Sequence, residues 1–422
     1  MTNWSRAGAV LLAGALALSG CGRDGGSGAQ PESAGNLAEG KAKGTITVWA
    51  MGGEGENLPT LVKDFEKANP GANVEVTAVP WDAAHDKIAT AIAAQKTPDV
   101  SLIGTTWMGE FAKTGGLDPV PTDLVDDSAF FPGAWDTNVV DGTAYGVPWY
   151  VETRLIYYRK DLAKKAGLTE PTTQAELKEF ARGMEEKAGA EQGLYLQPEQ
   201  IGAWQSFMPF AWQQGAELTQ GERYTLDSPA MRKALDFYSS FHDEGLSATA
   251  VPAPGVIESG FVDGTVGAFV SGPWHIGILA DQGGEGFVDK IGLLQMPTEK
   301  TGTSFVGGGN LAVFEDAKNR EGAWKLVKWL SDPEVQQKWY DVQSDLPSVQ
   351  SAWDSGALAE DPMLRAFGTQ LEDAKSPPAV PTWDQVSAVI DRQIEAVVGG
   401  SATPAEAAKK MQSEATSIGT GS

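Results

Sequence analysis

Polar and apolar residues alternate at Thr45-Ile46-Thr47-Val48-Trp49, the two-residue period of a half-buried strand. The period then changes. Leu58, Leu61, Val62 and Phe65 recur at helical spacing, and Asn57 stands where a helix cap is expected. A second strand is predicted over Asn73 to Val79 and a second helix from Ala84, Ile88, Ala91 and Ile92, followed by an apolar strand from Asp99 to Ile103. Strand-helix-strand-helix order predicts an α/β fold with a parallel sheet covered by helices. Ligands of such sheets sit at the carboxyl ends of the strands. The loops there are Met51-Gly52-Gly53-Glu54, Pro80-Trp81-Asp82 and Thr105-Thr106-Trp107.

Helical patterns dominate the middle of the chain. Thr173-Gln174-Ala175-Glu176 is a capping box ahead of Leu177, Phe180, Ala181 and Met184, and Thr403-Pro404-Ala405-Glu406 is another. Asp227 to Phe241 and Gly322 to Leu330 are further helices. Gly267 to Val270 and Ile291 to Leu294 are extended. No internal repeat is present.

The first residues follow a different logic. Arg6 precedes an apolar run from Ala7 to Leu18, too short for a membrane span, which needs about 20 residues. A basic start and a short apolar core predict a signal peptide over 1–20. Leu18-Ser19-Gly20-Cys21 resembles a bacterial lipobox, which implies a diacylglyceryl thioether on Cys21, the only cysteine. Residues 22–44, rich in Gly, Ser, Ala, Glu and Lys, read as a flexible tether. The mature fold is then expected outside the cytoplasmic membrane, anchored to its outer face and without disulfides.

The formal charge of −24 argues against nucleic acid as a partner. His85, His242 and His275 are scattered, which argues against a zinc site, and no other metal or cofactor is expected. Tryptophan is abundant, with 14 residues, only Trp4 lying before Cys21. Its flat apolar ring with one polar N–H suits either a core or a stacking platform.

Four stretches together resemble family 1 extracellular solute-binding proteins, the sugar receptors of ATP-binding-cassette importers. They are Phe65 to Gly71; Ala144 to Trp149 with Tyr157 to Leu162 and Ala166-Gly167-Leu168; Gly264 to Trp274; and Gly307 to Asn310 with Ala323-Trp324 and Ser331 to Glu334. The family's Pro-Pro-Thr-Trp turn is here Pro171-Thr172-Thr173-Gln174. The resemblance implies a periplasmic-binding-protein-like fold, with two α/β lobes joined by a multi-crossover hinge. It places the first lobe at 45–152 plus 268–314 and the second at 153–267 plus 315–418. It also implies a membrane permease as partner, and a monomer.

A neutral sugar offers hydroxyls and weakly apolar faces, so its site needs aromatic platforms and carboxylates, which form charge-assisted hydrogen bonds. Glu54, Trp81 with Asp82, and Thr106 with Trp107 follow the first three strands. Glu54 reads equally as a solvated charge, Asp82 as a helix cap and Trp107 as a packing residue. Trp149, Tyr150 and Glu152 lie where the family's chain crosses between lobes, and Arg154 is positioned to pair with Glu152. Trp204 and Trp212 offer one platform and one core residue, with Trp212 taken as the ligand-binding one. Trp274 matches a position that stacks on sugar in the family. Gly308, Gly309 and Asn310 bring backbone close to a ligand or form a tight turn, and Trp383 closes the cleft. Trp324, Trp329 and Trp339 read as helix-packing residues.

The function expected is capture of a neutral oligosaccharide, with a malto-oligosaccharide, another α-glucoside or an analogue of one as first choice. β-Linked glucans and xylo-oligosaccharides stay open. The alternative is an anchored glycoside hydrolase, which needs two carboxylates flanking the scissile bond. A peptide or siderophore receptor is a third reading.

Overall fold

A computed structural model describes residues 37–199 and 202–421. The expected signal peptide, the lipidation of Cys21 and the tether up to residue 36 lie outside the described residues. The tether does not extend to residue 44. Ala42 is buried, its amide donates to Asn69 Oδ1 at 2.9 Å, and the first strand begins at Lys43.

Among the described residues, twelve strands form two sheets and a hairpin: β1 (Lys43–Met51), β2 (Gly71–Val79), β3 (Val100–Gly104), β4 (Val139–Val140), β5 (Thr143–Ala144), β6 (Val147–Thr153), β7 (Leu155–Arg159), β8 (Ala268–Ser271), β9 (Ile291–Leu294), β10 (Ser304–Val313), β11 (Leu346–Pro347) and β12 (Ala374–Lys375). The larger sheet runs β11-β6-β10-β3-β1-β2, with β12 paired to β10. The expected parallel arrangement holds for β1 with β2 and β3. Beyond β3 the sheet is mixed, because β10 pairs antiparallel with β3 and β6. β3 is buried along its whole length, which is why Val100 to Gly104 reads as an uninterrupted apolar run. The smaller sheet is antiparallel, β8-β7-β9.

Each sheet has its own core. Ile46, Val48, Leu58, Phe65, Leu102 and Trp324 belong to the cluster on the larger sheet. Leu177, Phe180, Phe207, Leu235 and Ile390 belong to a cluster dominated by helices, which takes in Ile156 and Tyr158 of β7. A third cluster joins Val151 and Val306 of the larger sheet to Leu155, Tyr157 and Phe269 of the smaller. Each fully buried Leu or Phe contributes about 1.5–3 kcal/mol, so all three clusters matter to stability.

Strand pairing divides the chain differently from the expected break at 267/268. β8 and β9 pair with β7, so residues 268–294 go with the smaller sheet. Helices Arg320–Leu330 and Pro333–Gln343 place Trp324, Leu326 and Trp339 in the larger sheet's core. Sequence order alone does not reveal this, because each segment's apolar face fits either sheet. The chain passes from one sheet to the other between β6 and β7, with Arg154 as the single residue between them.

Both capping boxes form. Thr173 and Thr403 accept from the backbone N–H groups of Glu176 and Glu406, which reach back to the cap residues. The first helix starts earlier than expected. It spans Gly52–Ala68, so Asn57 lies inside it and donates to Gln343 Oε1 at 2.6 Å instead of capping.

Candidate functional site

A cleft of about 490 Å³ opens where β1, β2, β3, β6 and β10 meet the turn after helix Pro333–Gln343 and the segment before helix His275–Gly283. Glu54 enters it from the first turn of helix Gly52–Ala68, not from a loop. Gly55 makes this seat possible. A Cβ there would stand 2.4 Å from the Ala50 carbonyl, so only glycine lets the helix lie so close to β1. Glu54 is 7% exposed. Burial raises its carboxyl pKa above the ordinary value, opposed by Tyr150 and Trp81, which are placed to donate to it.

Trp81 opens helix Trp81–Ala94 directly after β2 and is 37% exposed. Trp107 ends a single tight turn, Thr105–Trp107, after β3. Their ring centroids are 5.8 Å apart at 57°, giving two faces of one aromatic corner. Trp274 is 45% exposed and lines the same cleft, as does Phe305 of β10.

Along β6, Tyr150 and Glu152 share one side of the strand, as residues two apart do. Burial, with the nearby Glu54 charge, pushes the Tyr150 phenol well above its ordinary range. Glu152 pairs with Arg154 at 2.5 Å, as expected from the sequence. Asp345 follows Ser344, whose φ of 65° turns the chain out of helix Pro333–Gln343. Trp339 Nε1 donates to Asp345 at 3.0 Å. Burial first, then the Glu54 charge, drives the Asp345 carboxyl pKa well above 3.8. A hydrogen-bonded string fixes the approach to Trp274. His275 Nδ1 lies 2.6 Å from Ser271 Oγ, and its Nε2 lies 3.2 Å from Glu258 Oε1. Burial lowers the His275 pKa.

The cleft therefore brings together Glu54, Trp81, Thr106, Trp107, Tyr150, Glu152, Trp274 and Gly308. Six other predicted residues are not among those lining it. Asp82 is exposed on the first turn of its helix, which Pro80 caps. Trp149 is 1% exposed and stacks on Trp339 at 4.7 Å, because strand alternation sends it opposite Tyr150. Trp212 is 4% exposed in the helical core. Trp204 is also core, edge-on to Phe305 and Trp383. Trp383 is 1% exposed, so it does not cover the cleft.

Gly307 to Asn310 is not a tight turn but the middle of β10. Gly308, at φ 127°, lies so close to β6 that a Cβ would meet the Tyr150 carbonyl at 2.2 Å. Gly309 is buried against Leu102 and the Tyr150 ring. Asn310 is fully buried and donates to Thr137 Oγ1 at 2.9 Å.

Sequence reasoning passed over Gln205, Phe305, Gln343, Ser344 and Asp345, which also line the cleft. Phe305 was within reach, two residues before the glycine run. Asp345 carried no local signal. Three carboxylates line the cleft, and among its described lining residues there is no lysine or arginine. Such a surface accepts hydrogen bonds from hydroxyls and stacks on apolar ring faces. Among the described residues no group of His, Cys, Asp and Glu side chains is placed to hold a metal ion.

Residues 51–337 match the model of the family described as bacterial extracellular solute-binding protein. The chain belongs to this family. MalE, the sugar-binding protein of the phytopathogen Xanthomonas citri, superposes with a TM-score of 0.83 at 34% identity, over 89% of this chain and 97% of that one. The diacetylchitobiose binding protein DasA of Streptomyces coelicolor is 29% identical over 403 residues, 89% of this chain and 90% of its own length. The maltooligosaccharide ABC transporter solute-binding lipoprotein of Streptococcus pneumoniae is 25% identical over 364 residues, 82% of this chain and 81% of its own. The fold is that of the two-lobed, MalE-like periplasmic binding proteins. The protein is a solute receptor and not an enzyme, which removes the glycoside hydrolase reading.

Proposed function

We propose that this protein is a lipid-anchored, extracytoplasmic receptor that captures a neutral oligosaccharide and delivers it to the permease of an ABC importer. The observation that carries the reading is the cleft itself. Trp81 and Trp107 form one aromatic corner, Trp274 and Phe305 offer further faces, and Glu54, Glu152 and Asp345 supply hydroxyl acceptors among them. Several platforms suit a chain of sugar rings better than one ring. Malto-oligosaccharides and related α-glucosides are the first choice of ligand. The name of the pneumococcal relative points the same way, while that of DasA keeps β-linked sugars in view. Cys21 carries the anchor in this reading, supported by the lipobox and by the pneumococcal relative's being a lipoprotein. The two lobes are built around the larger and the smaller sheet and close on the ligand by a hinge motion at the β6–β7 crossing.

The test is calorimetric titration of the full chain, in a detergent without a sugar headgroup, against maltotriose, maltotetraose, cellotriose and xylotriose, with product analysis afterwards. One-to-one binding of an α-glucan with no cleavage is the expected result. Binding confined to a β-linked sugar would replace the ligand class. No binding across the panel would remove the oligosaccharide reading.

A further inference from the structure

We infer that Arg154 is a positioning residue that sets the cleft's selectivity among saccharides, by clamping four lining residues from four separate segments into one fixed spacing. The inference rests on the oligosaccharide reading above. Arg154 does not line the cleft and is 6% exposed. Its guanidinium stands behind the wall. Nη1 donates to Glu152 Oε2 of β6 at 2.5 Å, and Nη2 donates to Gln205 Oε1 of helix Ala203–Gln213 at 2.6 Å. The guanidinium carbon is 4.9 Å from the Trp274 ring centroid and 5.2 Å from that of Phe305. Glu152, Gln205, Trp274 and Phe305 all face the cavity. One buried cation thus holds a hydroxyl acceptor, an amide and two aromatic faces.

The place of Arg154 in the chain makes the clamp rigid. It is the one residue between β6 of the larger sheet and β7 of the smaller. Its backbone carbonyl accepts from Ser304 Oγ at 2.8 Å, and Thr153 Oγ1 donates to the Phe305 carbonyl at 2.7 Å, so the crossing is pinned to β10 on both sides. Trp274 in particular needs such support. It is 45% exposed and belongs to none of the three hydrophobic clusters. Its ring lies along the Gly272 backbone, and the Arg154 guanidinium ties it to Glu152. Only a planar, forked cation can donate to two acceptors and present flat faces to two rings at once. Lysine keeps the charge and loses the fork.

The spacing between a stacking face and a hydroxyl acceptor decides which glycosidic linkage and which hydroxyl configuration fit. Removing the clamp therefore erodes discrimination as well as affinity. The experiment is a double-mutant cycle in the full chain, titrating the tightest and weakest binders of the saccharide panel into the parent, Arg154→Lys, Trp274→Ala and the double variant, with thermal unfolding of each. Arg154→Lys is expected to keep its unfolding midpoint, lose about tenfold in affinity for the best sugar, and narrow the ratio between best and worst. Trp274→Ala added to it is expected to cost much less than it costs alone. A Lys variant with parental selectivity, or losses that simply multiply, would overturn the inference while leaving the receptor reading intact. Should Arg154→Lys fail to fold, Ser304→Ala, at a residue that does not line the cleft, removes the hydrogen bond that pins the Arg154 backbone. A smaller loss of selectivity in the same direction supports the inference, and unchanged selectivity refutes it. A parent chain that binds no saccharide refutes the receptor reading and this inference with it.

Discussion

Trp274 and Trp383 look alike in the sequence, each beside a proline-containing stretch, yet one is 45% exposed over the cleft and the other 1% exposed in the helical core. Trp274 rests on a guanidinium, and Trp383 meets Trp204 edge-on at 5.1 Å. The same contrast divides neighbours on β6, where Trp149 stacks on Trp339 and Tyr150 lines the cleft. Tryptophan abundance thus has two sources in this chain. Much of it fills the interiors of large lobes, and Trp81, Trp107 and Trp274 furnish the site. An aromatic side chain becomes a platform only where the backbone leaves one face without a protein neighbour.

That division can be broken by substitution. Trp383→Ala empties a fully buried site and should lower unfolding free energy by about 3–5 kcal/mol in chemical denaturation, with ligand affinity of the folded fraction unchanged. Loss of affinity at full stability would move Trp383 back to the site. Trp274→Ala should do the reverse, weakening saccharide binding by about 1–3 kcal/mol in calorimetry and leaving the unfolding midpoint in place. Asp345→Asn removes a half-buried carboxylate that lines the cleft with Glu54. Its folded pKa lies above 3.8, so the folded chain holds a proton that the unfolded chain releases, and the parent loses stability as pH rises through that window. The variant should therefore match the parent at pH 3 and exceed it at pH 7, by about 1 kcal/mol. An advantage that shrinks with rising pH would contradict the assigned direction. Asp82→Ala should alter neither affinity nor midpoint, because Asp82 is exposed and outside the cleft.

Local elements were readable because their signals are local. Strand alternation placed β1, the Thr173 and Thr403 capping boxes marked their helices, and β3 stood out as an apolar run. The turn region after β3 led directly to Trp107 in the cleft. Errors arose wherever a residue's role depended on a partner distant in the chain. Asn57 suits a helix cap by type, but Gln343 takes its side chain. Gly309 and Asn310 adjoin a lining residue, but β10's pairing with β3 and β6 buries them. Asp345 reaches the cleft only because a left-handed Ser344 redirects the chain beside β6.

From residue types and their spacing came the α/β class, the capping boxes at Thr173 and Thr403, and the strand ends beside which Glu54, Trp81 and Trp107 lie. These depend on periodicity, charge and turn chemistry, which act within a few residues. The tertiary structure decided which sheet claims β8 and β9, which tryptophans face the cleft, and that Arg154 joins the adjoining β6 to three distant segments, at Gln205, Trp274 and Phe305. Those outcomes depend on strand pairing and packing between parts of the chain far apart in sequence, 152 residues where Thr153 Oγ1 meets the Phe305 carbonyl and 286 where Asn57 meets Gln343. Contacts of that range leave no periodic trace in a sequence, because any strand with a suitable apolar face satisfies the local pattern equally well.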